Sequence, residues 1–225
     1  MSGLPLAPEV AETPAAPEPE FEVLGAEARR YAAQPAVEFD VHVTEPTGRQ
    51  VYVIALTAQV MIEPARRQYD DTERAELYEL FGPPERWATT TTNLVWHKAD
   101  VLVPAFTGAT TFRLAVPVSF DMELVAAKYF HGVGGGPVPL AFNFNGTIHY
   151  RGDDGRLQMS LVPWSATCAY KFDVGVWKAA IDAEFPGRGW VGLSRSTLDG
   201  LRAERARRGL ATMDDTVAAL LEERP

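Results

Sequence analysis

The sequence predicts a mainly β protein of the α+β class: an antiparallel β-sandwich or curved sheet with a mid-chain crossover helix and C-terminal helices. Three observations support this fold class. Apolar residues recur at every second position in several segments, as in strands with one buried face. Turn residues separate these segments. Helical patterns with capping residues are concentrated after residue 173.

The clearest strand signal lies within residues 141–162. Two turns compete there, and a turn at Asn145-Gly146, a strong hairpin dipeptide, would pair apolar with polar residues. A turn at Asp154-Gly155 keeps both faces consistent. It would create two apolar pairs, Tyr150 with Met159 and Ile148 with Leu161. The sequence therefore predicts one long strand, a tight turn at Asp154-Gly155 and a second strand.

The N-terminal half of the chain begins with a different composition. Residues 1–20 are rich in Pro, Ala and Glu, so we expect a disordered tail. A short helix is expected from Glu22 to Ala33. Alternating residues in 37–43 and 52–62 predict two strands. A hairpin about Thr47-Gly48 would bring their apolar positions into register.

The middle of the chain mixes both element types. Asp70 or Asp71 can cap a short helix that ends before Gly82. Two strands are expected at Leu94–Val103 and Phe112–Met122. Pro117 has no N–H to donate, so the second strand should have a free edge or a bulge there. One or two helical turns are expected from Leu124 to Phe130.

The pattern changes after the long hairpin, where Pro163-Trp164 is expected to end the strands. Asp173–Glu184 fits a helix with one apolar stripe. Two further helices should begin at capping boxes, Ser196 with Asp199 and Thr212 with Asp215. The chain is thus divided into a tail (1–20), an antiparallel β domain with an inserted helix (21–193) and a C-terminal helical extension packed on it (194–225).

Charge and cysteine content exclude some classes of function. The net charge is −9, which argues against a nucleic-acid or anionic-membrane partner because both need clustered basic residues. No apolar run is long enough to span a bilayer. Cys168 is the only cysteine, so we expect no intramolecular disulfide, a buried inert thiol and a cytoplasmic location.

No residue pattern indicates a reaction. The four histidines lack metal-site spacing, and the Gly134–Gly136 run lacks the Lys and Ser/Thr of a phosphate loop. Asp121 and Glu123 share a strand face, as exposed acids commonly do without function. We therefore predict no catalytic residue, no metal ligand and no cofactor.

Four aromatic residues are the candidate partner-binding residues. They lie within one short segment: Trp164, Trp177, Phe185 and Trp190. Such rings either attach the C-terminal helices to the sheet or form an exposed recognition surface, since tryptophan is enriched in both settings. The sequence leaves both interpretations open.

A family resemblance rests on several segments of the chain. They are Val116–Asp121, Ala127–Phe130, Pro139–Thr147, Pro163-Trp164, the helix containing Val176-Trp177, and Phe185-Pro186 with Trp190. Across about residues 35–222 the chain resembles an actinobacterial family that carries only a domain-of-unknown-function label. Genes of that family tend to lie near NiFe-hydrogenase genes, and the resemblance implies no catalytic residue. The element order is also loosely similar to that of SecB-type export chaperones.

Three functions are compatible with these observations. The first is a non-catalytic cytoplasmic accessory, adaptor or assembly protein, whose partner the resemblance would make a hydrogenase subunit or maturation factor. The second is a SecB-like holdase, and the third is a small-molecule enzyme or binding protein with a site in the sheet. A homo-oligomer is compatible with all three.

Overall fold

The structure is a computed structural model that describes residues 16–29, 34–118, 124–184, 186 and 191–223. Within this part of the chain, the strands are β1 (Glu20–Ala28), β2 (Ala36–Thr44), β3 (Gln50–Ile62), β4 (Leu94–Val103), β5 (Phe106–Thr107), β6 (Ala109–Pro117), β7 (Pro137–Arg151), β8 (Leu157–Leu161) and β9 (Thr167–Asp173). The helices are α1 (Asp71–Glu76), α2 (Tyr78–Phe81), α3 (Trp87–Thr90), α4 (Val125–Gly132), α5 (Val174–Glu184), α6 (Arg195–Arg208) and α7 (Met213–Glu222).

The strands form two open antiparallel sheets, which confirms the predicted fold class. The smaller sheet has the order β1-β2-β6, and the larger has the order β4-β3-β7-β8 with β5 paired to β3 and β9 paired to β7. β1 contacts β9, and β4 contacts β6, so the sheets meet along both sides. Pro117 ends β6, an edge strand of the smaller sheet, where its missing N–H leaves no ladder bond unmade.

Aromatic rings fill the space between the sheets. Phe39 of β2 meets Phe142 of β7 and Phe172 of β9, with ring centroids 5.1 and 5.6 Å apart. Phe21 of β1 stacks on Phe144 of β7 at 4.3 Å. The alternating positions that predicted β2 and β7 therefore lie on the inner faces of the two sheets.

The predicted hairpin between the second and third strands is wrong. β2 pairs with β1 and β6, whereas β3 pairs with β4, β5 and β7, so the connection crosses from one sheet to the other. Two strands with one buried face each can meet across a core as well as side by side. Buried Glu45 fastens the crossing, because its carboxylate accepts the backbone N–H groups of Thr47 and Arg49 at 3.1 and 2.9 Å.

The N-terminal segment also differs from its prediction. The expected helix from Glu22 to Ala33 is wrong, because residues 20–28 form β1 with Phe21 and Val23 turned into the core. Pro17 and Pro19, at the end of the predicted tail, are buried. Residues 1–15, the rest of that tail, lie outside the described residues.

A strand was missed after Pro163-Trp164, where the strands were expected to end. β9 pairs with β7 and turns Phe172 into the core. Its pattern is weak because Cys168 and Tyr170, on the same side as Phe172, are only half-buried. A strand whose inward face has only one fully buried residue shows little difference in polarity between its two faces.

Helix caps decide where the helices begin. Asp70 caps α1 as predicted and forms a capping box with Glu73, and the Thr212–Asp215 box of α7 is confirmed. The box predicted at Ser196 is wrong: Ser194 caps α6, and its side chain accepts the N–H of Thr197. Two hydrogen bonds from Arg208 to the Glu223 carboxylate, at 2.7 and 2.9 Å, join α6 to α7.

Candidate functional site: an apolar strip on an edge strand

β8 turns its apolar side chains outward. Leu157, Met159 and Leu161 are 65, 62 and 71% exposed; these three residues are called the β8 strip below. The polar residues between them, Gln158 and Ser160, occupy the opposite face. Ser160 Oγ is buried and has no hydrogen-bond partner among the described residues. The polarity of this strand is thus the reverse of that expected for a surface strand, whose apolar residues should face the core.

The turn before β8 sets this orientation. The N–H of Gly152 donates to the carbonyl of Arg156 at 2.8 Å, so three residues lie between the paired positions. The last of the three, Gly155, has φ +76°, the conformation that closes a three-residue hairpin loop.

The predicted two-residue turn was in the right place but one residue too short. Met159 therefore lies opposite His149, and Leu161 opposite Thr147. The predicted pairs of Met159 with Tyr150 and Leu161 with Ile148 are wrong. Because a one-residue slip moves every side chain to the other face, the apolar set points to solvent.

The β8 strip borders an apolar hollow on the outer face of the larger sheet. The hollow has a volume of about 430 Å³ and is lined by Tyr52, Val53, His149 and Leu157. Leu102 of β4, 71% exposed, lies on the same face further across the sheet. A contiguous apolar surface of this kind marks an interaction site more often than scattered apolar residues do.

Two charged pairs lie at one end of this surface, beside the turn that precedes β8. Arg49 and Asp153 form a salt bridge at 3.1 Å near the hairpin turn, and Arg156 lies 3.8 Å from Asp154. Interfaces commonly combine an apolar centre with a polar rim, and this arrangement has both.

The structure separates the four aromatic candidates. Trp164, in the turn after β8, is 94% exposed. Trp177 is 1% exposed and stacks on Phe130 at 5.3 Å, so it belongs to the core and offers no surface to a protein partner. Phe185 and Trp190 lie outside the described residues. Sequence reasoning missed the β8 strip because the predicted pairing placed it inside, and only the turn length could have revealed it.

The glycine run, Gly134–Gly136, is held in place by three side chains from other parts of the chain. Arg67 donates to the carbonyl of Gly135 at 2.7 Å, and Lys178 of α5 donates to the carbonyl of Gly134 at 2.9 Å. Glu73 of α1 accepts the N–H of Gly134 at 2.9 Å. Two carbonyls and one N–H of the loop are thus engaged by side chains of the protein itself, which indicates a structural role for this segment.

The pair formed by Arg67 and Glu73 is the charged centre of this loop anchor. Its two hydrogen bonds measure 3.0 and 2.8 Å, and both side chains are about nine-tenths buried. Burial by itself raises the pKa of Glu73, but the hydrogen bonds from Arg67 and the Gly134 N–H outweigh it and lower the pKa. The carboxylate therefore stays charged well into the acid range.

Candidate reactive groups are found in unreactive surroundings. Burial raises the pKa of Cys168 to about 11, so the thiol is protonated at neutral pH. Burial lowers the pKa of His97, and burial together with the charge of Lys178 lowers that of His131. Among the described residues, no group of His, Cys, Asp and Glu side chains is placed to hold a metal ion.

A second cavity lies beside α4. It has a volume of about 390 Å³ and is lined mainly by apolar residues of β4, α4 and α5, among them Trp96, His97, Val125 and Trp177. Among the described residues that line it, the only titratable group is the imidazole of His97, whose pKa is lowered by burial. The chemistry of this cavity suits a small apolar molecule.

The chain belongs to a family of unknown function, DUF6084, whose model matches residues 16–225. No curated protein matches the chain. Among solved structures, it is similar to a late embryogenesis abundant (LEA) protein, with 10% identity over 68% of this chain and 71% of that one and a TM-score of 0.29. In the described part of the chain, no helix is long and apolar enough to cross a membrane.

Proposed function

We propose that the protein is a non-catalytic cytoplasmic accessory or assembly protein that binds another protein through the outer face of its larger sheet. The binding surface would be the β8 strip with the adjoining apolar hollow, and Trp164 would lie at its margin. The observation that carries the proposal is the reversed polarity of β8, whose three apolar side chains all face solvent. Exposing them has no evident benefit to the folded chain alone.

The size and surroundings of this surface favour a dedicated partner over a holdase. A holdase needs a long exposed apolar groove that accepts many sequences. Here the apolar residues form a compact group beside charged pairs such as Arg49–Asp153. Charges at the rim of an interface select a partner and orient it.

The identity of the partner rests on the family resemblance alone. Because genes of the resembled family tend to lie near NiFe-hydrogenase genes, the partner proposed is a hydrogenase subunit or maturation factor. Its contact surface should be apolar and should complement the three outward side chains of β8.

The test is a binding titration of purified hydrogenase subunits and maturation factors against two variants. Leu161→Asp places a charge in the β8 strip and should weaken binding by about 30-fold or more, equivalent to about 2 kcal/mol at an interface hot spot. Leu24→Asp is the matched control, since Leu24 is 56% exposed on β1 of the other sheet. Equal binding by both variants would contradict the proposed surface.

The second cavity supports a different candidate function, the binding of a small apolar molecule. Trp96 and Trp177 both line that cavity, so a bound ligand should change tryptophan fluorescence. Titration of the wild type and of Val125→Trp with an apolar probe dye would test this function. The added indole should fill the cavity and reduce dye binding. A dye signal unchanged in Val125→Trp would place the dye elsewhere.

A further inference from the structure

Among the described residues β8 pairs only with β7, so its other edge presents hydrogen-bonding groups as well as apolar side chains. Val162 donates its N–H to Gly146 at 3.0 Å, and Gly152 donates to Arg156 at 2.8 Å. Because bonded and non-bonded pairs alternate along an antiparallel ladder, the even-numbered positions of β8 bond to β7. The N–H and C=O groups of the β8 strip therefore point away from β7, towards the open edge.

The sequence of β8 is self-complementary. It reads Leu-Gln-Met-Ser-Leu, which has the same pattern of apolar and polar residues in both directions about Met159. We propose that β8 pairs antiparallel with the β8 of a second copy of this chain, about a two-fold axis at Met159. Leu157 then lies opposite Leu161 of the second copy, and the two Met159 residues lie opposite each other.

This register satisfies the edge groups on both sides. The three outward-pointing positions of one strand face the three outward-pointing positions of the other, so each N–H meets a C=O. A two-fold interface must use the same surface on both copies, and a palindromic strand meets that requirement. The larger sheets of the two copies would become one continuous sheet, which removes an exposed edge.

Charges at the two ends of β8 are complementary under the same two-fold axis. Arg156, at the turn end, has a side chain that is 86% exposed. At the other end, Glu18 and Glu20 line a hollow of about 250 Å³ together with Pro163. The pairing places Arg156 opposite Val162 of the second copy, next to that acidic hollow. The two aspartates in the turn already lie beside arginines of their own chain.

The short strand limits the strength of the contact. Five residues on each side bury less than the about 1,200 Å² of a standard stable interface. We therefore expect a reversible dimer whose population rises with concentration. The proposal concerns the edge of β8 and does not depend on partner binding at the outer face, since edge pairing leaves that face open.

Cysteine cross-linking at the two-fold axis tests the register. In a bonded antiparallel pair, the two Cα atoms at position 159 would lie about 5.5 Å apart, within the about 4.4–6.8 Å range of disulfides. Met159→Cys should form a covalent dimer rapidly under mild oxidation. Leu102→Cys is the matched control, since Leu102 is 71% exposed but lies on β4, at the opposite edge of the larger sheet. Cross-linking of Met159→Cys no faster than the control would overturn the proposal.

Met159→Pro tests the backbone contact separately. Its ring replaces an N–H that faces the open edge, a position where strands tolerate proline. Sedimentation equilibrium should show wild-type dimer and Met159→Pro monomer, with similar melting temperatures. A wild-type chain that stays monomeric at every concentration would refute the dimer. If the proline variant unfolds, the cross-linking rate of Met159→Cys relative to Leu102→Cys tests the proposed dimer by itself. A hydrogenase partner that binds Met159→Pro but not Leu161→Asp would leave the proposed function standing whatever the dimer result.

Discussion

The two halves of β7 have contrasting surroundings. The closed half, residues 137–143, pairs with β9 and follows the loop that Arg67, Glu73 and Lys178 anchor. The open half, residues 147–151, pairs with β8, which has no second strand partner in the described part of the chain and carries an exposed apolar strip. Both halves pair with β3 on the other side.

This difference separates the part of β7 that stabilises the fold from the part that carries the proposed binding surface. The closed half has aromatic core contacts and anchored loop groups, which serve to hold the fold together. The open half has apolar side chains in solvent and, among the described residues, a strand edge without a partner, two features that folded proteins ordinarily avoid. Substitutions near the closed half should therefore lower the free energy of unfolding. Substitutions in the β8 strip of the open half should weaken binding of the protein partner.

The largest expected effect is that of Trp177→Ala, near the closed half. The ring is 1% exposed and packs against Phe130, so its removal leaves a cavity in the core. We expect a loss of about 3–5 kcal/mol in the free energy of unfolding. Urea denaturation followed by circular dichroism measures it. A loss below about 1 kcal/mol would mean that Trp177 is not a core residue.

Glu73→Gln should have the next largest effect, because it leaves Arg67 buried without its carboxylate. We expect a loss of about 3 kcal/mol near neutral pH, at the lower end for a broken buried pair, since the Gly135 and Pro137 carbonyls still accept from Arg67.

The same variant gives a pH dependence of defined sign. Since folding lowers the pKa of Glu73 from its ordinary 4.5, the charged pair stabilises the fold above that pH and loses this contribution as the pH falls further. The stability difference between wild type and Glu73→Gln should therefore shrink as the pH falls below 4.5. A difference that grows on acidification would contradict this pKa direction.

How far the sequence predicts the fold depends on the kind of information each residue carries. Phe39, Phe142 and Ile148 alternate with polar residues, so the existence of their strands and the buried faces could be predicted. Alternation does not say which strand lies beside which. That is why β2 and β3, whose turn and register fit a hairpin, were paired wrongly when they lie in different sheets.

The candidate site was harder to predict than the fold. The apolar residues of β8 alternate as regularly as core residues do. Whether they face the core or the solvent depends on the length of the turn that ends at Gly155. Trp164 and Trp177 show the same limit: both are tryptophans near a strand end, yet one is 94% exposed and the other 1%. Residue type sets what a side chain can do, and only the packing around it decides whether it is on the surface.

Gly155→Val, in the open half, should have an intermediate effect. The residue has φ +76°, where a β-branched side chain is strained. We expect a destabilisation of about 1–3 kcal/mol, measured by chemical denaturation. Asp153→Val is the control, because it places the same side chain in the same turn but away from the positive-φ position. Equal effects of both variants would show that the backbone conformation of Gly155 is not responsible.

The smallest expected effect on stability is that of Met159→Ser, in the β8 strip. Its side chain is 62% exposed, so shortening it removes little buried apolar area and should change the free energy of unfolding by less than about 0.5 kcal/mol. The same change should weaken binding of the protein partner measurably, because it removes an apolar group from the centre of the proposed surface. Thermal melting and a binding titration on one preparation separate the two effects. A large loss of stability would mean that Met159 is a core residue, and the open half of β7 would then be as closed as the other.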